Sequence, residues 1–214
     1  MLETIAETRM ESKLSLIALG ANLSSSAGSR AETIRFALRL IAAEPGLSLR
    51  AVSRLYATPA FPAGSGPDYV NACAALETAL APDALLDRLH AIEAGLGRRR
   101  DGSRWGARVV DLDLLAVGDA VLPDAATQDE WRALPPGRQT VETPDRLILP
   151  HPRLQDRAFV LVPLCDIAPL WRHPRTGRSA AEMLAALPAG DRESVRLSLD
   201  NPAATDHIRP SPLI

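Results

Sequence analysis

Short apolar runs of strand length alternate along this chain with segments of helical period, and that alternation restricts the fold to a layered α+β domain. Leu14 to Gly20 is an apolar run that ends in Gly-Ala-Asn, a strand entering a turn. Ser29 and Glu32 form a capping box ahead of Ile34, Ala37, Leu38 and Ile41 at helical spacing, and Pro45-Gly46 stops that helix. Residues 47–56 read as a strand, 58–67 as a Pro- and Gly-rich loop, and 69–76 as a second strand. Pro82 opens a helix whose apolar face is Leu85, Leu86, Leu89 and Ile92, closed by Gly95 and Gly97. Residues 109–117 form a further strand. The order β-α-β-β-α-β predicts a split βαβ, ferredoxin-like α/β sandwich with a largely antiparallel central sheet. Residues 123–146 are polar, contain Pro135-Pro136-Gly137 and read as an irregular insertion. Residues 159–167 and 179–187 read as short helices. The expected organisation is an extension over 1–13, one domain over 14–187 and a loose polar tail over 188–214.

The basic residues exclude several enzyme classes. Lys13 is the only lysine, so there is no Walker-type phosphate loop, no kinase lysine strand and no Schiff-base lysine. The formal net charge of −2 gives no global field toward nucleic acid or membrane. Cys73 and Cys165 lack any C-x-x-C partner and read as small buried hydrophobes. Residues 1–13 carry Glu3, Glu7 and Glu11 and do not resemble a signal peptide, and no run approaches the length of a membrane span. The expected location is the cytoplasm.

Asp111-Leu112-Asp113 concentrates the chemistry. On a strand, residues two apart share a face, so both carboxylates point one way while Val110, Leu112 and Leu114 point into the core. Two carboxylates about 7 Å apart along a strand suit one or two hard cations such as Mg²⁺, completed by water and phosphate oxygens. The preceding segment holds Arg98, Arg99, Arg100, Arg104 and Arg108 against one acid, Asp101, with Gly97, Gly102 and Gly106 between them. Guanidinium groups clamp phosphate oxygens bidentately, so a basic loop leading into paired carboxylates suits a polyphosphate with its metal. His151 lies between Pro150 and Pro152, with Arg157 six residues on. Tyr69, Trp105 and Phe159 lie beside these polar motifs and suit stacking on a flat heterocycle. No function is assigned to His173, His207, Trp131 or Trp171. On the residues alone, two other readings stay open. One is a D-x-D nucleotidyltransferase that releases pyrophosphate. The other is an RNA-binding module built on the arginine loop and the aromatics.

Six segments taken together resemble the 6-hydroxymethyl-7,8-dihydropterin pyrophosphokinases of folate biosynthesis. They are LGANL at 19–23, SRLYATPA at 53–60, PDYVNACAALET at 67–78, IEAGLGRRR at 92–100, RWGARVVDLDLL at 104–115 and LPHPRLQDRAFVLVPLCDIAP at 149–169. The resemblance implies transfer of diphosphate from ATP to the pterin hydroxymethyl oxygen with release of AMP. It implies ATP as co-substrate, two Mg²⁺ ions held by Asp111 and Asp113, and Arg98 and Arg108 acting on the transferring phosphates. It implies an ATP site of His90, Glu93, Arg98, Arg100, Arg104, Trp105, Arg108, Leu114, His151 and Arg157. It implies a pterin site of Thr58, Pro59, Phe61, Tyr69, Asn71, Trp105, Asp111 and Phe159. The expected partners are these two small substrates, with neither nucleic acid nor membrane, and the expected state is a monomer. His90 stands where the family often has Gln, Ala107 where it has Pro, and Phe61 where it has Leu.

Overall fold

The computed structural model describes residues 11–60, 66–97 and 109–200. In chain order these form β1 (Lys13–Ala21), α1 (Arg30–Ala43), β2 (Leu47–Val52), β3 (Tyr56–Thr58), β4 (Tyr69–Thr78), α2 (Pro82–Gly95) and β5 (Asp111–Val117). There follow α3 (Ala125–Ala133), α4 (Pro136–Val141), a 3-10 turn at Leu154–Asp156, α5 (Ala158–Ile167), α6 (Ala180–Ala186), α7 (Ala189–Glu193) and β6 (Arg196–Leu197). The sheet runs β5-β1-β4-β3-β6, with β2 also paired to β4, and the pairings of the named strands are all antiparallel. The α+β order expected from the sequence is therefore present, with β1 and β4 at the centre.

Strand alternation divides the core into two layers. Ile17, Leu19 and Ala21 of β1 pack with Ile34, Ala37 and Ile41 of α1 and with Leu85 and Leu89 of α2. Leu16 of β1 and Cys73 and Ala75 of β4 pack on the other face against Val160, Leu161 and Leu164 of α5 and Met183 of α6. The capping boxes are formed at Ser29–Glu32 and again at Ser179–Glu182, so both helices start where their serines can satisfy the first free amides. Cys73 is buried and Cys165 half-buried, both as free thiols. Among the described residues no helix is long and apolar enough to cross a membrane.

Three segments differ from the sequence reading. Residues 47–56 form two strands because Ser53 interrupts the ladder: its amide donates to Cys73 O at 2.9 Å, while its hydroxyl accepts from Cys73 N at 2.9 Å. The insertion contains two helices. Asp124 caps α3 by accepting from Thr127 N at 2.9 Å, and Pro136 sits at the start of α4. The segment after Pro188 contributes α7 and then β6, which pairs Leu197 with Tyr56 and Arg196 with Ala57 along the edge of β3. Val195 is buried there against Tyr56 and Ala158.

One carboxylate fixes α5 over the sheet. Asp166 accepts from Arg54 Nη2 at 2.6 Å, Arg54 Nε at 3.0 Å and the Tyr56 hydroxyl at 2.9 Å. Burial, and then the hydrogen bond to Asp166, push the Tyr56 phenol up to about 12. A second buried polar group lies under α3. The His173 side chain is enclosed, and its Nδ1 accepts from Arg175 N at 3.1 Å. Burial, with Arg132 next in weight, lowers its pKa to about 4. His173 therefore stays neutral in the fold at pH values where the unfolded chain takes up a proton. Its contribution is fully present above pH 6.5 and is lost as pH falls from 6.5 toward 4. Urea midpoints measured at pH 7.5 and 5.0 should fall in the native chain, and His173→Asn should show a smaller fall between the same two values.

Candidate active site

The register of β1 assembles the site. Gly20 is opposite Asp111 on β5 and opposite Asn71 on β4, and Ala18 is opposite Asp113 and Cys73. On β3, Tyr56 is opposite Asn71 and Thr58 opposite Tyr69. Because side chains alternate, Asp111, Asp113, Asn71, Tyr69 and Thr58 all lie on the face covered further along by α5. Val110, Leu112 and Leu114 are buried on the opposite face, as the strand period requires. That helix packs on the rows of Leu16, Cys73 and Leu115 and begins only at Ala158. The row of Gly20 lies beyond it, and Phe159, 40% exposed, stands at the helix start.

The side chains of this row are already organised. Asn71 Nδ2 donates to Thr58 Oγ1 at 2.7 Å, and both residues are buried. Asn71 Oδ1 is thereby turned toward the space above Gly20, where a Cβ would lie 3.1 Å from it and 4.0 Å from the Tyr69 ring. Arg157, immediately before α5, reaches Asp113 with Nη1 3.8 Å from Oδ2, and its guanidinium lies 5.5 Å from the centre of the Phe159 ring. At that distance and exposure the ion pair contributes well under about 1 kcal/mol, so it places Arg157 more than it stabilises the fold.

The backbone under the two aspartates is held from behind. β5 is an edge strand, and Leu112 N donates to the buried carboxylate of Glu93 at 2.7 Å. His151 N donates to Leu115 O at 2.8 Å, and its Nδ1 accepts from Arg153 N at 3.1 Å. This leaves the ring proton on Nε2. Burial and then Arg157 and Arg153 lower the His151 pKa to about 3, with Asp111 opposing them, so the ring is a neutral hydrogen-bond donor.

The structure thus gathers Thr58, Tyr69, Asn71, Asp111, Asp113, Arg157 and Phe159 at one end of one sheet face. Pro59 is exposed just past β3, and His90 lies on α2 one turn before Glu93. Leu114, expected at the nucleotide site, has its side chain buried on the α1/α2 face with Leu112. Phe61, Arg98, Arg100, Arg104, Trp105 and Arg108 lie outside the described residues. Gly20 was not singled out as a site residue, although a glycine inside a strand pattern signals close approach. Asp68 was also missed; its carbonyl accepts from Arg30 Nη1, and its carboxylate accepts from Ala60 N at 3.3 Å, tying the start of β4 to α1 and to the end of β3. As a donor set the two half-exposed aspartates offer hard oxygen atoms only. Among the described residues no group of three or more His, Cys, Asp or Glu could hold a metal ion, so a cation here needs oxygen ligands from water or substrate.

Comparison with known proteins points the same way. The family model for 7,8-dihydro-6-hydroxymethylpterin-pyrophosphokinase (HPPK) matches residues 16–169. A protein of Pseudomonas aeruginosa named 2-amino-4-hydroxy-6-hydroxymethyldihydropteridine pyrophosphokinase is 42% identical over 172 residues, covering 80% of this chain and 90% of that one. A Synechocystis protein of the same name is 35% identical over 169 residues, covering 79% and 73%. Among solved structures, a Plasmodium falciparum HPPK-DHPS triple mutant with STZ-DHP superimposes with a TM-score of 0.59 at 14% identity. That match covers 86% of this chain but 45% of the other, so this chain spans less than half the solved one, and the likeness carries the fold alone.

Gly20 offers a test of the geometry. Gly20→Ala should destabilise the protein by about 1 kcal/mol, because Asn71 is held by Thr58 and yields only by straining that hydrogen bond. In an Asn71→Ala background the same substitution should cost less than half as much by urea denaturation.

Proposed function

Since the chain belongs to the 7,8-dihydro-6-hydroxymethylpterin-pyrophosphokinase family, we propose that it transfers diphosphate from ATP to the hydroxymethyl oxygen of 6-hydroxymethyl-7,8-dihydropterin, releasing AMP, in folate biosynthesis. The observation that carries this reading is the placement of Asp111, Asp113, Asn71, Thr58 and Tyr69 on one sheet face, with Arg157 between Asp113 and Phe159. The enzyme acts as a cytoplasmic monomer on these two small substrates.

Asp111 and Asp113 would hold Mg²⁺, as two ions, which when bound would offset the charge of the phosphates. The pterin ring stacks between Tyr69 and Phe159. Asn71 Oδ1 accepts from a ring N–H, and the Thr58 hydroxyl, already accepting from Asn71, donates to a ring acceptor. A Cβ at Gly20 would crowd Asn71 Oδ1 at 3.1 Å, so the bare backbone there keeps that acceptor open. His151 and Arg157 donate to the nucleotide, while Glu93 holds β5 straight by its bond to Leu112 N. The hydroxymethyl oxygen attacks the β-phosphorus and loses its proton to solvent, the bond to the α–β bridging oxygen breaks, and AMP leaves with that oxygen. Arg98 and Arg108 stabilise the charge that grows there. No protein nucleophile takes part, so positioning and charge supply the acceleration.

Incubation with Mg-ATP and the hydroxymethyl dihydropterin, followed by anion-exchange separation, should give AMP in equal amount to the pterin diphosphate. ADP as the pterin-dependent product would contradict the reaction, and pyrophosphate would favour a nucleotidyltransferase. Asp111→Asn and Asp113→Asn should each lower turnover by about 100-fold or more, the scale on which loss of one preorganised charge acts, with the melting temperature unchanged.

A further inference from the structure

The described part of the insertion is folded, and it meets the site at one point. Gln128 is the buried residue of α3, wholly enclosed, and its Nε2 donates to Pro150 O at 3.1 Å. Pro150 immediately precedes His151. The same stretch is bracketed on the insertion side by the reciprocal backbone bonds of Leu122 with Leu149, at 2.8 and 3.1 Å, and on the sheet side by His151 N to Leu115 O. The outer side of α3 is pinned by Asp129, which accepts from Arg175 Nη2 at 2.5 Å and from Arg132 Nη2 at 2.8 Å. A glutamine is a costly residue to enclose here, since among the described residues no group bonds its Oε1. A leucine or methionine of similar volume would pack without that cost. What the amide supplies is a directed donor to one carbonyl of the turn that carries His151.

We infer that Gln128 is a positioning residue for His151, and that the 123–146 insertion serves as a strut on the nucleotide side of the site. The inference rests on the assignment of His151 to ATP made above. With the Pro150 carbonyl held, the His151 ring keeps its Nδ1 on Arg153 N, which leaves Nε2–H as its donor. Without that anchor the turn loses its side-chain tie to α3, and the donor loses part of its fixed direction. The loss falls on ATP, because the turn that α3 bonds carries His151, whereas Thr58, Tyr69 and Asn71 stand on β3 and β4.

Gln128→Met keeps the volume and removes the donor. It should raise the KM for ATP about five-fold, the effect of one hydrogen bond, with kcat and the KM for pterin within two-fold of the native values. His151→Ala should also raise the KM for ATP, and Gln128→Met added to it should produce no further rise. Full additivity of the two effects, or an unchanged KM for ATP in Gln128→Met while His151→Ala raises it, would overturn the strut. An unchanged KM for ATP in His151→Ala would instead overturn the nucleotide assignment of His151, and the inference with it. If Gln128→Met does not fold, Asp129→Asn takes its place. It loosens α3 from Arg175 at the surface and should give the same selective rise in the KM for ATP, whereas no change would count against the strut.

Discussion

Everything at the site depends on the register of β1 between β4 and β5. Gly20 lies between Asp111 and Asn71, so the carboxylates proposed to bind the cation and the amide proposed to read the pterin are neighbours across one bare backbone position. A slip of one residue in β5 would turn both aspartates into the core and Leu112 and Leu114 out of it. That would forfeit roughly 2 kcal/mol for each leucine and cost several kcal/mol for each carboxylate enclosed without a partner. The bond from Leu112 N to Glu93 adds a direct tie at the edge. The hydrophobic pattern that builds the sheet is therefore also what aims the acids.

The same logic explains why the site lies where helical cover stops. α5 closes the lower rows of this face with Val160, Leu161 and Leu164, and Asp166 fastens it to Arg54 and Tyr56. Its first turn then presents Arg157 and Phe159 to the open rows. A helix that began one turn earlier would cover Gly20, and one that ended earlier would leave Cys73 and Leu115 exposed.

Much of this was legible in the residues, and what was not has physical causes. The strand period of Asp111-Leu112-Asp113 set both faces of β5, and the capping box at Ser29 marked a helix start that the structure shows. The insertion was opaque because the buried residue of α3 is a glutamine, so no apolar stripe announced a helix. The segment after Pro188 was opaque because β6 is two exposed residues long and is specified by the free edge of β3, a tertiary feature. Leu114 is expected at the nucleotide through family likeness, and its parity on the strand places its side chain with Leu112 in the core. Gly20 was visible as a strand glycine, but its purpose depends on the Asn71–Thr58 hydrogen bond, which no local pattern encodes.

On this reading Asp111 and Asp113 together hold a divalent cation on the face that would also receive the phosphates. Electron paramagnetic resonance of Mn²⁺, titrated with the protein and a non-hydrolysable ATP analogue, tests this without relying on turnover. The account predicts a protein-bound Mn²⁺ signal that needs the nucleotide to develop fully and that is lost in both Asp111→Asn and Asp113→Asn. A bound signal of undiminished amplitude in either folded variant would contradict it.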